Sequence, residues 1–444
     1  MLRMQWKTDL HCWIVLGLLS VLLFGAVSSR AIAENPKGEA TASGSAEGAS
    51  PSGAIDGDRF STDAGSVWTG DSGTCSWQIT FSEPQAIGSL LQINGDDQLI
   101  IRNAPRNYVW QWSDDGETWQ PIPETVVSHE KRIARIHRFN EPIETRHVRL
   151  LIHLSHGAAP TLREVEFYPS VDAEIPFEDW IIAVSSVEDP NNVGVGMRFV
   201  DLARECEGWE DVPAQLVWHG DFDEDFVSTE PRPLCAFFSG SYLEWCQRSR
   251  EPWRGVQAVL KSRSLPMWGA CGGAQVFALL EETGVDQPWD CPRCRNKDNP
   301  LSPIYSHIGH LADAPCGDYS QNIGERGTFK MRVVADDPAF QGLPDVFDIH
   351  ESHIGQIDYV PEGWTRVVTK GPGAHTENQV LRVKDCPIYS AQFHMETYAN
   401  TPENSIQIMS NFLKLAKEWG GYNPDAERLE MPGSLDDSGD ESGG

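Results

Sequence analysis

"PMWGACGGAQVFALL", Pro266 to Leu280, passes from a strand-like apolar step through Gly-x-Cys-x-Gly into a helix-like apolar run. Glycines two before and two after Cys271 suit a nucleophile elbow, a strained strand-to-helix turn where backbone passes too close for a Cβ and one side chain is presented. A helix starting after Cys271 aims its positive N-terminal end at the sulfur, which favours thiolate over thiol. The same glycines also suit a tight packing corner around a small buried cysteine, and the motif alone does not separate the two.

A second segment does. In "CPIYSAQFHMETY" (386–398), Tyr389, Ala391 and Phe393 alternate with Ser390, Gln392 and His394, the pattern of a strand. If the strand continues, His394 and Glu396 project to one face. Glu396 can then accept a hydrogen bond from one imidazole nitrogen, leaving the other to take a thiol proton. A lone histidine on a strand reads as structural, whereas a His-x-Glu pair sharing a domain with Gly-x-Cys-x-Gly reads as the rest of a triad.

The surrounding pattern is α/β. "DWIIAVSS" (179–186), "AQLVWHG" (214–220) and "LCAFFSG" (234–240) are buried-strand signals, and helices are predicted over 194–207 and 251–263. Over residues 175–422 the chain resembles the class I glutamine amidotransferases, whose signatures are a G-x-C-x-G-x-Q elbow and a Q-F-H-P-E strand. "AFFSGSYLEW" (236–245), "HESHIGQIDYVPEGW" (350–364) and "SNFLKLAKEW" (410–419) are similar to the family's oxyanion loop, Ser-His segment and closing helix. The resemblance implies a flavodoxin-like domain with a central, mostly parallel sheet. It further implies Cys271 as nucleophile, His394 as base and acid, Glu396 as orienter, Gly240 and Gly272 as oxyanion donors, and Gln275 as a substrate contact. Gly272-Gly273-Ala274 and Met395 depart from the family's usual residues, which leaves the triad whole and the substrate open. Thiol chemistry of this kind requires no cofactor. No ATP-dependent synthetase segment accompanies the domain, so a hydrolase is expected, as in the related gamma-glutamyl hydrolases, acting on a small amide or gamma-glutamyl substrate.

The amino-terminal half has strand rhythm throughout. "SWQITF" (76–81), "NYVWQWS" (107–113), "RIARIHRF" (132–139) and "RHVRLLIHL" (146–154) alternate polar and apolar residues, a β-sandwich pattern. "AIDGDRFSTDAGSVWTG" (54–70), "VWQWSDDGETWQPI" (109–122) and "LREVEFYP" (162–169) resemble the discoidin (coagulation-factor type C) family, a galactose-binding-like jelly roll. The resemblance implies an all-β jelly-roll sandwich over 55–170 and a glycan or cell-surface ligand. Trp68, Trp77, Trp110 and Trp119 are expected to be core or edge packing.

Basic residues, an apolar run over 13–27 and Ala31-Ile32-Ala33 make residues 1–33 a secretory signal peptide, with an uncleaved anchor as the alternative. The body is then exported and, after cleavage, off the membrane. Residues 34–54 read as a flexible Ala/Gly/Ser linker and 423–444 as a disordered acidic tail. The net charge of −30 excludes a nucleic-acid partner, which needs clustered Lys and Arg. Of ten cysteines, Cys12 would leave with the signal, and the nine remaining are an odd number, so one thiol stays unpaired or metal-bound. Cys291, Cys294, His307, His310 and Cys316 have near-zinc spacing for a structural metal, with disulfides and a cleft-lining role for the histidines as alternatives. "DFDEDF" (221–226) resembles a calcium loop but has Phe226 where glycine is needed, and reads as a solvated acidic loop. The rival to the hydrolase is a glycan- or surface-binding protein whose amidotransferase-like domain no longer turns over.

Overall fold

A computed structural model describes residues 37–61, 63–95, 99–241, 245, 248–289, 304–308 and 323–419. The signal segment and the acidic tail lie outside them. No helix among the described residues is long and apolar enough to cross a membrane.

The amino-terminal domain is antiparallel β-structure built around two long strands, Cys75–Asn94 and Ala134–Ser155. Their pairing shifts register at Thr80/Gln85 and Ile87/Ser89, and such irregularities bend long strands. Every second residue over Cys75–Phe81 is buried, as the alternation in the sequence demands. Trp68, Trp77 and Trp110 are fully buried, and Trp77 meets Trp110 edge-on with centroids 6.2 Å apart. Trp119 is half-buried at the edge, with the Arg149 guanidinium 4.1 Å above its ring.

The 34–54 stretch is more ordered than its composition predicts. Gly38–Ala42 pairs with Trp77–Phe81, and Pro51–Ile55 forms a 3-10 turn. An edge strand is held by backbone hydrogen bonds, which a run of small residues supplies as well as any other.

The carboxy-terminal domain is a nine-stranded sheet. Its first five strands, in spatial order Ala214–Trp218, Ile181–Ser185, Cys235–Phe238, Met267–Ala270 and Ile388–Ala391, are parallel. In chain order this is the 2-1-3-4-5 arrangement of flavodoxin-like folds, which place ligands at the carboxyl ends of the strands. Four antiparallel strands extend it: Val380–Val383, Trp364–Lys370, Glu325–Val333 and Val346–His353. Met197–Arg204 and Arg254–Ser262 are helices, each burying one apolar face.

The two domains share a core. Leu91, Ile93 and Ile133 of the sandwich pack in one cluster with Trp180, Ile182, Phe222 and Phe226 of the second domain. Arg132 is fully buried across this seam. It donates to the carbonyls of Asp225 (2.7 Å), Ala134 (3.2 Å) and Pro231. Lys131 pairs with Asp223, and Arg135 with Asp225 at 2.8 Å. The "DFDEDF" segment is therefore not a solvated acidic loop, because two of its acids neutralise bases from the other domain. Arg132→Ala removes the guanidinium from three carbonyls, of which that of Asp225 keeps the Thr229 N–H, and is expected to cost about 3 kcal/mol. Urea unfolding should show this as an earlier midpoint of a single transition, and a loss below about 1 kcal/mol would contradict the assigned role.

Candidate active site

Cys271 directly follows the Met267–Ala270 strand and caps the Gly272–Glu282 helix. Its backbone has φ 52° and ψ −106°, a positive φ that non-glycine residues rarely adopt. Close packing holds the turn there: a Cβ on Gly272 would lie 2.6 Å from Ser241, and one on Gly273 2.6 Å from the Phe238 carbonyl oxygen. The Cys271 N–H donates to the Ala391 carbonyl (2.8 Å), tying the turn to the end of the neighbouring strand. Only 6% exposed, Cys271 nonetheless lines a cleft of about 1050 Å³. These are the features of an elbow, and the cleft is what a plain packing corner lacks.

His394 and Glu396 come together differently from the strand expectation. The strand ends at Ala391, and the pair sits in the bends and turn that follow. That turn, rather than strand alternation, brings His394 Nδ1 to 2.6 Å from Glu396 Oε1. A Cβ placed on Gly240 would be 3.0 Å from His394 Cε1 and 3.9 Å from Cys271 Sγ, so ring, sulfur and Gly240 backbone crowd one spot. Burial opposes a charge on His394, but the Glu396 carboxylate and Cys271 outweigh it and hold its pKa well above the ordinary value. Burial instead pushes up the thiols of Cys75 (to about 11), Cys206 and Cys235, which keeps them protonated and unreactive at neutral pH.

The remaining expected residues divide. Gly240 lines the cleft beside the sulfur, and Gly272, the residue after Cys271, packs against Ser241. Gln275 also lines the cleft, but its amide is fixed from both ends: Oε1 accepts from Trp245 Nε1 (3.0 Å) and Nε2 donates to Gln392 Oε1 (3.2 Å). Of the cysteine–histidine group, only His307 falls within the described residues. It is buried on the Tyr305–His307 strand with the Tyr305 hydroxyl 3.1 Å from its Nε2. Cys291, Cys294, His310 and Cys316 lie outside the described residues.

Three cleft residues escape the sequence reading. Arg198 and Arg326 line the cleft and form no ion pair among the described residues. His350 has its ring centroid 6.3 Å from that of His394, and burial together with the His394 charge lowers its pKa. The first two belong to a helix and a strand 128 positions apart, so no local motif could have joined them. His350 stands in the segment already likened to the Ser-His region, which is the one signal that pointed near it.

Residues 39–166 match the family model of the F5/8 type C domain. One subunit of the glutamine-hydrolysing GMP synthase of Archaeoglobus fulgidus is 26% identical over 162 residues, 36% of this chain and 68% of that relative. The glutamine-hydrolysing GMP synthase of Thermosipho africanus is 34% identical over 88 residues, 19% of this chain, and the chain spans only 17% of that relative. Among solved structures, a putative GMP synthase subunit of Thermoplasma acidophilum is 18% identical, covers 55% of this chain and 97% of its own, and gives a TM-score of 0.39. A family 32 carbohydrate-binding module of Clostridium perfringens, in complex with GalNAc-β-1,3-galactose, is 16% identical, covers 30% and 94% of the two chains, and gives a TM-score of 0.26. The chain thus joins a discoidin-like sandwich to a glutamine amidotransferase-like domain.

Proposed function

We propose that the protein is an exported thiol amidohydrolase, cleaving the side-chain amide of glutamine or a gamma-glutamyl compound, with a discoidin-like module that attaches it to a glycan or cell surface. One observation carries this reading: a cysteine in a strained elbow opens on the same cleft as a histidine whose far nitrogen is 2.6 Å from a carboxylate. In the proposed reaction the Cys271 sulfur attacks the amide carbon, and the backbone N–H groups of Gly240 and Gly272 receive the oxyanion. His394 carries the proton to the departing ammonia or, from a gamma-glutamyl compound, the departing amine, Glu396 fixing its tautomer, and water attacks the resulting thioester with His394 now as base.

The cleft also has a charge preference. Arg198 and Arg326 offer two guanidinium groups on the lining of the same cleft, suited to the α-carboxylate of a glutamyl group or a second carboxylate beyond it. Arg198→Ala and Arg326→Ala are each expected to raise KM about 10-fold or more with little change in kcat. Release of ammonia from glutamine and of the free amine from gamma-glutamyl peptides, each member of the panel compared with an analogue lacking the α-carboxylate, tests both parts. Turnover of no member, together with a Cys271 that native iodoacetamide does not alkylate, would leave the binding protein as the better description. Equal turnover of members with and without the carboxylate would remove the arginines from the account.

A further inference from the structure

Outside the triad, one group of buried polar atoms lacks an explanation. Glu351 and His353 lie two apart on the Val346–His353 strand and so face the same side, and Glu325 is directly opposite His353 in the antiparallel register. All three are buried, the two glutamates completely. The His353 Nδ1–H donates to the Gly355 carbonyl (2.8 Å), which leaves Nε2 turned inward. Nε2 is 3.0 Å from Glu325 Oε2 and 3.0 Å from Glu351 Oε2.

An imidazolium held by two carboxylates would account for these distances, and it is the arrangement against which a metal must compete. His353 Nε2, Glu325 Oε2 and both oxygens of Glu351 have no hydrogen-bond partner among the described residues. The ligand-bearing atoms of the three side chains lie within 4.8 Å of one another. Atoms holding one ion at roughly 2.1 Å stand roughly 3.0–3.4 Å apart, which matches the observed separations. A metal-ligating histidine also characteristically gives its other N–H to a carbonyl, as His353 does to Gly355. The second oxygen of Glu325 is held from outside by the His375 N–H, which orients the carboxylate inward.

We propose that Glu325, Glu351 and His353 bind one divalent first-row metal ion through His353 Nε2 and an oxygen of each glutamate. His353 borders the cleft while its Nε2 and both glutamates are turned inward, so the ion would sit behind the cleft wall. Ser352, between two of the ligands, has its carbonyl oxygen 3.9 Å from Cys271 Sγ, so the ion anchors the strand that backs the nucleophile. This site is independent of the hydrolase reading and needs no turnover to be seen.

Manganese is the probe, because carboxylate and imidazole suit it while the thiolates of Cys291, Cys294 and Cys316 do not compete. The full-length protein is freed of metal with a chelator, and Mn2+ binding is measured by equilibrium dialysis and by its effect on Tm. The expected result is one Mn2+ per chain with a raised Tm. Cys271→Ala should retain this, while Glu351→Gln and His353→Gln weaken it at least about 100-fold, beyond the effect of losing an outer hydrogen-bond partner. Circular dichroism of the variants checks that they fold, and Glu325→Gln serves if Glu351→Gln does not. Failure of the wild-type protein to bind Mn2+, or binding undiminished in Glu351→Gln, overturns the proposal in favour of a purely ionic cluster.

Discussion

Cys271→Ala is expected to abolish amide hydrolysis, lowering kcat by about 10⁴-fold or more, while leaving Tm nearly unchanged. The large effect follows from covalent chemistry, since the thioester cannot form without sulfur and the oxyanion donors alone recover only part of the rate. The small effect on stability follows from the site: the turn is held by the glycine contacts and the Cys271 N–H bond to Ala391, and alanine keeps that N–H. A positive φ is equally uncomfortable for alanine and cysteine, so no strain is released. Alkylation followed by peptide mapping gives the same answer from the thiol side, because Cys75, Cys206 and Cys235 are buried with raised pKa values. Residual activity within ten-fold of wild type would remove Cys271 from the reaction.

Glu396→Gln is expected to lower kcat by about 10²- to 10⁴-fold, with the upper end set by the loss of the correct imidazole tautomer. Its signature is in the pH profile. Despite the opposing effect of burial, the Glu396 carboxylate and Cys271 hold the His394 pKa up, so replacing the carboxylate by a neutral amide must let it fall. The protonated ring, needed to deliver a proton to ammonia, then disappears at lower pH, and the alkaline limb of kcat/KM moves toward acid. A rate loss with no such movement would make Glu396 a packing residue.

The parts of the site that could be read from sequence are those that are local in the chain. Gly269 to Gly273 encode their turn by steric need alone, and His394 with Glu396 carry their pairing within three residues, although through a turn and not the anticipated strand. What stayed hidden depends on pairings between distant segments. Glu325 reaches His353 only through the register of two antiparallel strands, and Arg198 and Arg326 share a wall only in the folded cleft. The acids of "DFDEDF" looked solvated because their partners, Lys131 and Arg135, belong to another domain. The small residues near Gly38 resembled a linker because backbone pairing leaves little trace in side-chain composition.

The continuous core beneath Leu91, Trp180 and Phe226 sets the working reach of the molecule. A catalytic unit on a flexible leash sweeps a volume around its anchor and samples whatever diffuses through it. Here the shared core fixes the sandwich against the second domain, so under the proposed function a surface held by the sandwich would meet the cleft at a fixed height and bearing. Under the same proposal, amides carried on that surface at the right spacing would be cleaved, and those outside that arc would be passed over however tightly the surface is held.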